Sequence, residues 1–373
     1  MRVISPPKDA SRGSHWSSRL SDRTEPTLTR CGELLERDGI RPTVLRYARL
    51  AGSVPAVPLS VSKSQSQSGV AIVWLSMMFV AVALSQTENP LSEKPVRRVI
   101  VHADDAGMSH SVNRGTIDAM EQGSVSSASI MVPCPWFPEF AKYAKEHPDR
   151  DYGIHLTLNS EWDLYRWGPV AGRERVPSLV DEHGFLWDNV AQVAANVKVE
   201  EAEIELRAQI ERAREFGVPL SHLDTHMGSA FARPDLARLY VKLSLEYQLP
   251  VLVVRPTLVN QLEQAFPEVL RIIEPLEAAG MPVLDEVYQF YEHGPFEQRK
   301  AKYLDTLRNL PPGTSEIIIH CGYQDAELTA ITGSVDIRDT DRQTFMDPDV
   351  RACLEQEGIE LITWKQFGAK PKP

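Results

Sequence analysis

From Pro95 onward, short β-branched runs alternate with longer amphipathic segments, and this alternation restricts the fold more tightly than any other feature. The runs cover residues 98–103, 126–132, 152–158, 220–224, 251–255, 317–320 and 360–363, with 283–287 a weaker eighth. Helical patterns fill the gaps at 111–122, 137–146, 200–216, 235–247, 296–309 and 347–355. In the third of these, Ile204, Ala208, Ile210 and Ala213 keep one apolar face while Glu and Arg occupy the other. Gly123, Gly217 and Gly358 stand where helix C-caps are expected. Strand then helix, repeated, requires parallel strands joined by crossovers. Seven or eight such units predict an α/β fold, an irregular (β/α) barrel resembling a TIM barrel.

Charge divides the chain. The whole carries a net charge of −11, which disfavours a nucleic-acid backbone as partner. Residues 1–62 hold ten Lys/Arg against six Asp/Glu and show no sustained apolar period, so they are read as a basic extension that packs no core. Residues 63–85 resemble a signal peptide: Lys63 precedes an apolar run at 70–84, and Ala83 and Ser85 sit at −3 and −1 of a cleavage site before Gln86. The run is short for a membrane span, so no stable span is expected in a chain beginning near Gln86. A buried helix or single anchor is the alternative. Secretion or periplasmic export is expected if the segment is used, and a cytoplasmic location if it is not. Residues 86–95 read as a short linker, and 96–368 as the catalytic domain. Four cysteines without a CxxC pair give neither a disulfide scaffold nor a thiolate zinc site.

In a barrel of this kind chemistry gathers where strands end. The first run ends in Asp104-Asp105, the third carries His155, and the fourth ends His222-Leu223-Asp224-Thr225-His226. Arg255 closes the fifth and His320 the run at 317–320. Each has a bland alternative. Asp-Asp before Ala-Gly can cap the helix at 111, a lone His can be a hydrogen-bonded core residue, and Arg255 can form a structural ion pair. Five coincidences at five strand ends favour a site. Imidazoles and a carboxylate without thiolate suit zinc or another divalent first-row ion, magnesium less so. A second carboxylate beside the ligand can take a proton from water, which describes metal-assisted hydrolysis.

The run from Ile100 to Ser109 (IVHADDAGMS), then Val112-Asn113-Arg114-Gly115, resembles the opening motif of the YdjC/ChbG-type carbohydrate deacetylases. Later motifs follow in order at 126–132, 153–158 and 222–226, so the resemblance covers about residues 96–368. It implies an irregular (β/α) barrel that removes acetyl groups from N-acetylated carbohydrates with one divalent metal ion, magnesium or zinc. By the same resemblance Asp105, His155 and His226 are the metal ligands, and Asp104 activates water. His320 protonates the leaving amine, and Arg255 orients or charge-balances Asp104. His222, Asp224 and His102 then support the ligands from behind. His102 stands where the family often has Asn, Ala106 where Phe is frequent, and Cys321 where Pro is common.

The partner expected is an N-acetylated oligo- or polysaccharide. Trp162, Tyr165 and Trp167, with Trp187 further on, lie in a long loop region after the His155 run, and aromatic faces suit sugar rings. They can equally pack that loop onto the barrel. A hydrolase of another amide or ester, and a carbohydrate-binding protein without turnover, remain alternatives. The Asp104-Asp105 pair argues against the latter, since binding alone needs no base.

Overall fold

The computed structural model describes residues 95–257, 260 and 267–369. The expected extension at 1–62, the signal-like segment and most of the linker lie outside these residues. No helix among the described residues is long and apolar enough to cross a membrane.

Among the described residues, seven strands form one parallel sheet: β1 (Arg97–Ala106), β2 (Ser127–Ile130), β3 (Tyr152–Leu156), β4 (Leu220–Thr225), β5 (Glu286–Gln289), β6 (Gly313–His320) and β7 (Ile359–Leu361). The order is β4-β3-β2-β1-β6-β5, and β7 pairs with β1. β1 is the spine, running beside β6 in unbroken register from Arg97–Gly313 to Asp104–His320. That register places Asp104 directly next to His320, 216 positions apart in sequence.

The ladder is open between β4 and β5. The expected strand at 251–255 supplies only isolated bridges, Leu223–Val251 and Val254–Leu284. Backbone bonds nevertheless span the gap, from Leu252 N to Leu223 O (3.1 Å) and from Arg255 N to Leu284 O (2.7 Å). Pro250 and Pro256 flank the segment, and neither has an N–H to extend a ladder. The barrel is therefore irregular, with a strand's place held by a few bonds. The weak run at 283–287 forms β5 three residues later than expected.

Helices pack on the outside of the sheet, and the main core of Val, Ile, Leu and Phe side chains lies between the two layers. The barrel interior is unusually polar, with His102, Asp104, Ser127, Ser129, His155, His222, Asp224 and Glu316 all buried. Trp364, with Ile100, Val254 and Leu284, forms a separate apolar plug. Its ring stacks on His222 at 5.1 Å. A capping box fixes the short helix carrying it, and Asp151 accepts from the Trp364 and Lys365 N–H groups.

Gly153 leaves the room that His222 fills, because a Cβ there would sit 2.3 Å from His222 Nε2. Gly153→Ala must displace a ring clamped under Trp364. It is expected to destabilise the domain by about 1–3 kcal/mol, measured as a lowered midpoint in urea.

Candidate active site

The Asp pair reaches one place because the backbone turns between its members. β1 loses register between Ala103 and Ala106. Asp105 itself lies at φ 68°, a left-handed conformation rare for a non-glycine residue and characteristic of strained functional positions. Gly107 completes the turn at φ 90°, where a Cβ would press on the Phe137 Cα at 3.2 Å. Asn113 Oδ1 accepts from Gly107 N, so the helix His110–Gln122 steadies the loop from behind. That helix is capped by Ser109, whose hydroxyl accepts from Val112 N. The aspartates are thus free of the capping role that was their bland alternative.

Asp105, His155 and His226 converge. His155 Nε2 is 3.4 Å and His226 Nδ1 3.3 Å from Asp105 Oδ1. Asp105 Oδ1 is buried and has no hydrogen-bond partner among the described residues. The far nitrogen of each imidazole is held by a carboxylate: His155 Nδ1 donates to Asp224 Oδ2 at 2.9 Å, and His226 Nε2 to Glu161 Oε2 at 2.9 Å. In neutral rings that arrangement leaves both inward nitrogens as lone pairs. His226 lies beyond β4 in a tight turn, where Met227 and Gly228 have positive φ and Thr225 Oγ1 accepts from Ala230 N. The donor set, an unsatisfied buried carboxylate oxygen faced by two imidazole nitrogens, fits a divalent ion.

Asp104 sits beside this cluster. Ser129 Oγ donates to its Oδ1 at 3.1 Å, and His102 Nε2 is 3.2 Å from the same oxygen. Oδ2 faces His155 Nε2 at 3.8 Å and His320 Nε2 at 4.0 Å. Burial, followed by repulsion from Asp224 against the pull of His155 and His102, raises the Asp104 pKa. Asp105 goes the other way: despite its burial, Arg338, His226 and His320 hold it well below the usual carboxylate range. Neighbouring carboxyl groups are thereby driven apart, as an acid–base site needs. Burial would depress His226, yet Glu161 and Asp105 push it up to about 10. His320 is pressed down to about 3 by burial and by Arg338, His155 and His226, against the pull of Asp105.

His102, His222 and Asp224 all lie inside the barrel, and only Asp224 touches a proposed ligand directly. His102 bridges Asp104 to the buried Glu316, 3.6 Å from its Nδ1, and donates to or accepts from Ser127 Oγ. His222 bonds Ser221 Oγ and lies a layer behind, edge-on to His102.

Arg255 does not reach the site. It is 44% exposed, pairs with Glu277 and lies 3.8 Å from Asp285. With no continuous strand at 251–255, nothing aims its side chain inward. The arginine at the carboxylates is Arg338, whose Nη2 donates to Asp105 Oδ2 at 2.7 Å. It comes from the helix Val335–Met346, which also sends Asp341 to accept from His320 N at 3.2 Å. Sequence reading missed this helix, and it missed Glu161. The one cue for Glu161 was its place next to Trp162.

The aromatic residues form a wall. Trp167 lies 6.2 Å from the His226 ring and 5.4 Å from Trp162, and Tyr165 is 6.3 Å from Trp162. Tyr165 OH bonds Met108 O. Trp187 stands apart, bonded to Ser178 O. The loop bearing the wall is tied at both ends to the helix Val199–Glu215. Gln209 exchanges bonds with Thr157 N and O, while Glu205 accepts from Val170 N and Ala171 N. Both packing and sugar binding were open for these aromatics. The wall is buried at Trp167 and partly open at Trp162 and Tyr165, beside the polar cluster.

A parallel α/β barrel with carboxylates and imidazoles at its strand ends defines a hydrolase-type site. Residues 98–356 match the family described as YdjC-like protein, and the chain belongs to that family. A carbohydrate deacetylase of Thermus thermophilus is 32% identical over 282 residues, 72% of this chain and 93% of the relative. One from Thermoanaerobacter pseudethanolicus is 29% identical over 270 residues, covering 72% and 98%. Among solved structures, an Enterococcus faecalis protein described as a candidate cellobiose-phosphate cleavage protein superposes with a TM-score of 0.62 at 26% identity. It covers 74% of this chain and 100% of its own.

Proposed function

We propose that this carbohydrate deacetylase uses one divalent metal ion to hydrolyse the acetamido group of an N-acetylated oligosaccharide. The coarse activity, removal of acetyl groups from carbohydrate, rests on family membership and on the curated relatives. The observation that carries the finer reading is the unsatisfied Asp105 Oδ1 between two imidazole nitrogens, with a second carboxylate of raised pKa beside it.

Asp105, His155 and His226 would hold the ion, which supplies the positive charge that acidifies water and polarises the acyl carbonyl. Asp224 and Glu161 fix the two ligand rings in the tautomer that binding requires. Asp104 takes the proton from the attacking water, and its raised pKa brings it nearer neutrality, where a general base works best. His320 Nε2 lies 4.0 Å from Asp104 Oδ2 and is placed to relay that proton to the leaving amine; burial holds the ring neutral at rest, so it carries the proton only in passing to the more basic amine. Tyr291 OH, 3.2 Å from His320 Nε2, orients the ring. Zinc suits this donor set better than magnesium. Export through the signal-like segment at 70–85 belongs to the same reading, and N-terminal sequencing of cell-free protein tests it.

Acetate release from chito-oligosaccharides and peptidoglycan fragments, measured with and without chelator, decides the matter. Release that chelator abolishes is expected. No acetate from any sugar, or equal release after chelation, overturns the reading.

Metal uptake should also depend on pH. With His226 held up to about 10 in the unloaded site, binding must expel its proton. Affinity is therefore expected to rise with pH below 10, by up to about tenfold per unit for each proton released. Calorimetry in buffers of different ionisation heat counts those protons. Uptake without proton release would contradict the charge state assigned to His226.

A further inference from the structure

The amide bond that deacetylation breaks leaves its nitrogen on the sugar, so the sugar ring has to stand beside the group that protonates that nitrogen. His320 is that group in the reading above, and the hydroxyl of Tyr291 meets its Nε2 at 3.2 Å. Tyr291 is 56% exposed, more than any other aromatic side chain among the described residues, while His320 is 7% exposed. The phenol thus has its polar end at a buried imidazole, with 5.1 Å between ring centroids, and more than half of its surface open.

An exposed ring on a loose loop would mean little, but this loop is lashed down. Residues 290–295 follow β5. The buried Arg299 of the helix Phe296–Arg308 donates to Phe290 O at 3.2 Å and to Glu292 O, one on either side of Tyr291. Arg299 also pairs with Asp341 Oδ1, and Asp341 Oδ2 accepts from His320 N at 3.2 Å. One buried carboxylate therefore fixes the Tyr291 loop relative to the end of β6. His293 adds a bond to Asp336 at 2.9 Å, and Lys302 one to Glu292 at 2.8 Å. Gln289 Nε2 donates to the Tyr291 hydroxyl at 2.6 Å, so the hydroxyl is held from both sides. Orienting His320 takes only the hydroxyl. The ring, held in place and open, offers an aromatic face beside the reacting nitrogen, and sugars combine apolar C–H faces that suit such a surface with polar edges.

We propose that the exposed ring of Tyr291 is the platform on which the sugar unit bearing the acetamido group lies, while its hydroxyl stays on His320. This rests on the deacetylase reading given above and deepens it. Tyr291, from a loop that none of the strand-end motifs contains, becomes a residue that touches substrate. Arg299 and Asp341 are positioning residues, which set its distance from His320.

Tyr291→Phe keeps the platform and loses the bond to His320, whereas Tyr291→Ala loses both. Acetylated chitotriose is titrated by calorimetry into the full-length, zinc-loaded protein carrying Asp104→Asn, which slows turnover, with and without each change. Tyr291→Ala is expected to weaken binding about tenfold and Tyr291→Phe by less than about twofold, at equal zinc content. With Asp104 restored, the alanine variant should raise KM by the same factor, while the phenylalanine variant lowers kcat alone. Unchanged binding by the alanine variant overturns the platform. Equal loss in both variants overturns it too, because the hydroxyl is then all that Tyr291 supplies. If the alanine variant fails to fold by circular dichroism, Tyr291→Gln is read by the same criteria. A wild-type protein that releases no acetate from any sugar refutes the deacetylase reading, which is a separate outcome; the platform is then judged on binding and falls if chitotriose does not bind.

Discussion

His155→Ala and His226→Ala are each expected to leave the barrel folded and the purified protein without stoichiometric metal. Each substitution removes one of the two imidazole nitrogens that face Asp105 Oδ1 and opens a cavity next to a carboxylate that then has no counter-charge on that side. Loss of groups behind metal ligands already costs about 10–100-fold in affinity, so loss of a ligand itself should cost at least about 100-fold. Acetate release should fall in parallel and recover in part at high metal concentration. The folded state should persist because His155 and His226 lie at strand ends, while the plug around Trp364 and the outer helix layer are untouched. Elemental analysis of dialysed protein is the measurement. One metal ion per chain in either variant would remove that histidine from the ligand set.

The contrast between the two histidines adds detail. His155 is held by Asp224, which is itself anchored inside the barrel, whereas His226 is held by Glu161 from the aromatic loop. Glu161→Gln should therefore weaken metal binding less than His226→Ala, while leaving the His155 side intact. The loop that carries the aromatic wall is thus tied to the geometry of His226, so the proposed metal and substrate sites would share one support.

Much of this arrangement was legible because strand alternation and strand ends follow local rules. Asp104, His155, Asp224 and His320 sit at the tips of parallel strands, where sequence pattern alone places them on the interior side. Arg255 obeyed the same pattern and still points outward, because two prolines break the ladder that would have aimed it. Arg338 was hidden for the opposite reason. The helix Val335–Met346 buries Arg338, Asp341 and Thr344 beside Ile337 and Phe345, so its inward face is largely polar and no apolar period marks it. A helix that docks on a charged site looks like a surface helix in sequence. Its partner Asp105 lies 233 positions away, and no local signal spans that distance.

The two aspartates should separate cleanly by experiment. Asp104→Asn preserves shape: the amide oxygen can still accept from Ser129 Oγ, and Asp105, His155 and His226 keep their places. Metal should remain bound, while the lost proton transfer lowers the rate by about 10²–10⁴-fold. Asp105→Asn strikes different contacts. It removes the charge that Arg338 Nη2 meets at 2.7 Å and that both imidazole nitrogens face. An uncompensated buried guanidinium remains, with a weaker ligand in a backbone conformation (φ 68°) that asparagine tolerates. Metal affinity and rate should fall together, and thermal stability should fall with them. Asparagine's tolerance of that φ matters to the test, because loss of metal then reports the missing charge and not a broken turn. Equal metal loss in both variants, or near-normal turnover in Asp104→Asn, would mean that proton transfer and metal binding are not divided between these neighbours as their opposite pKa shifts indicate.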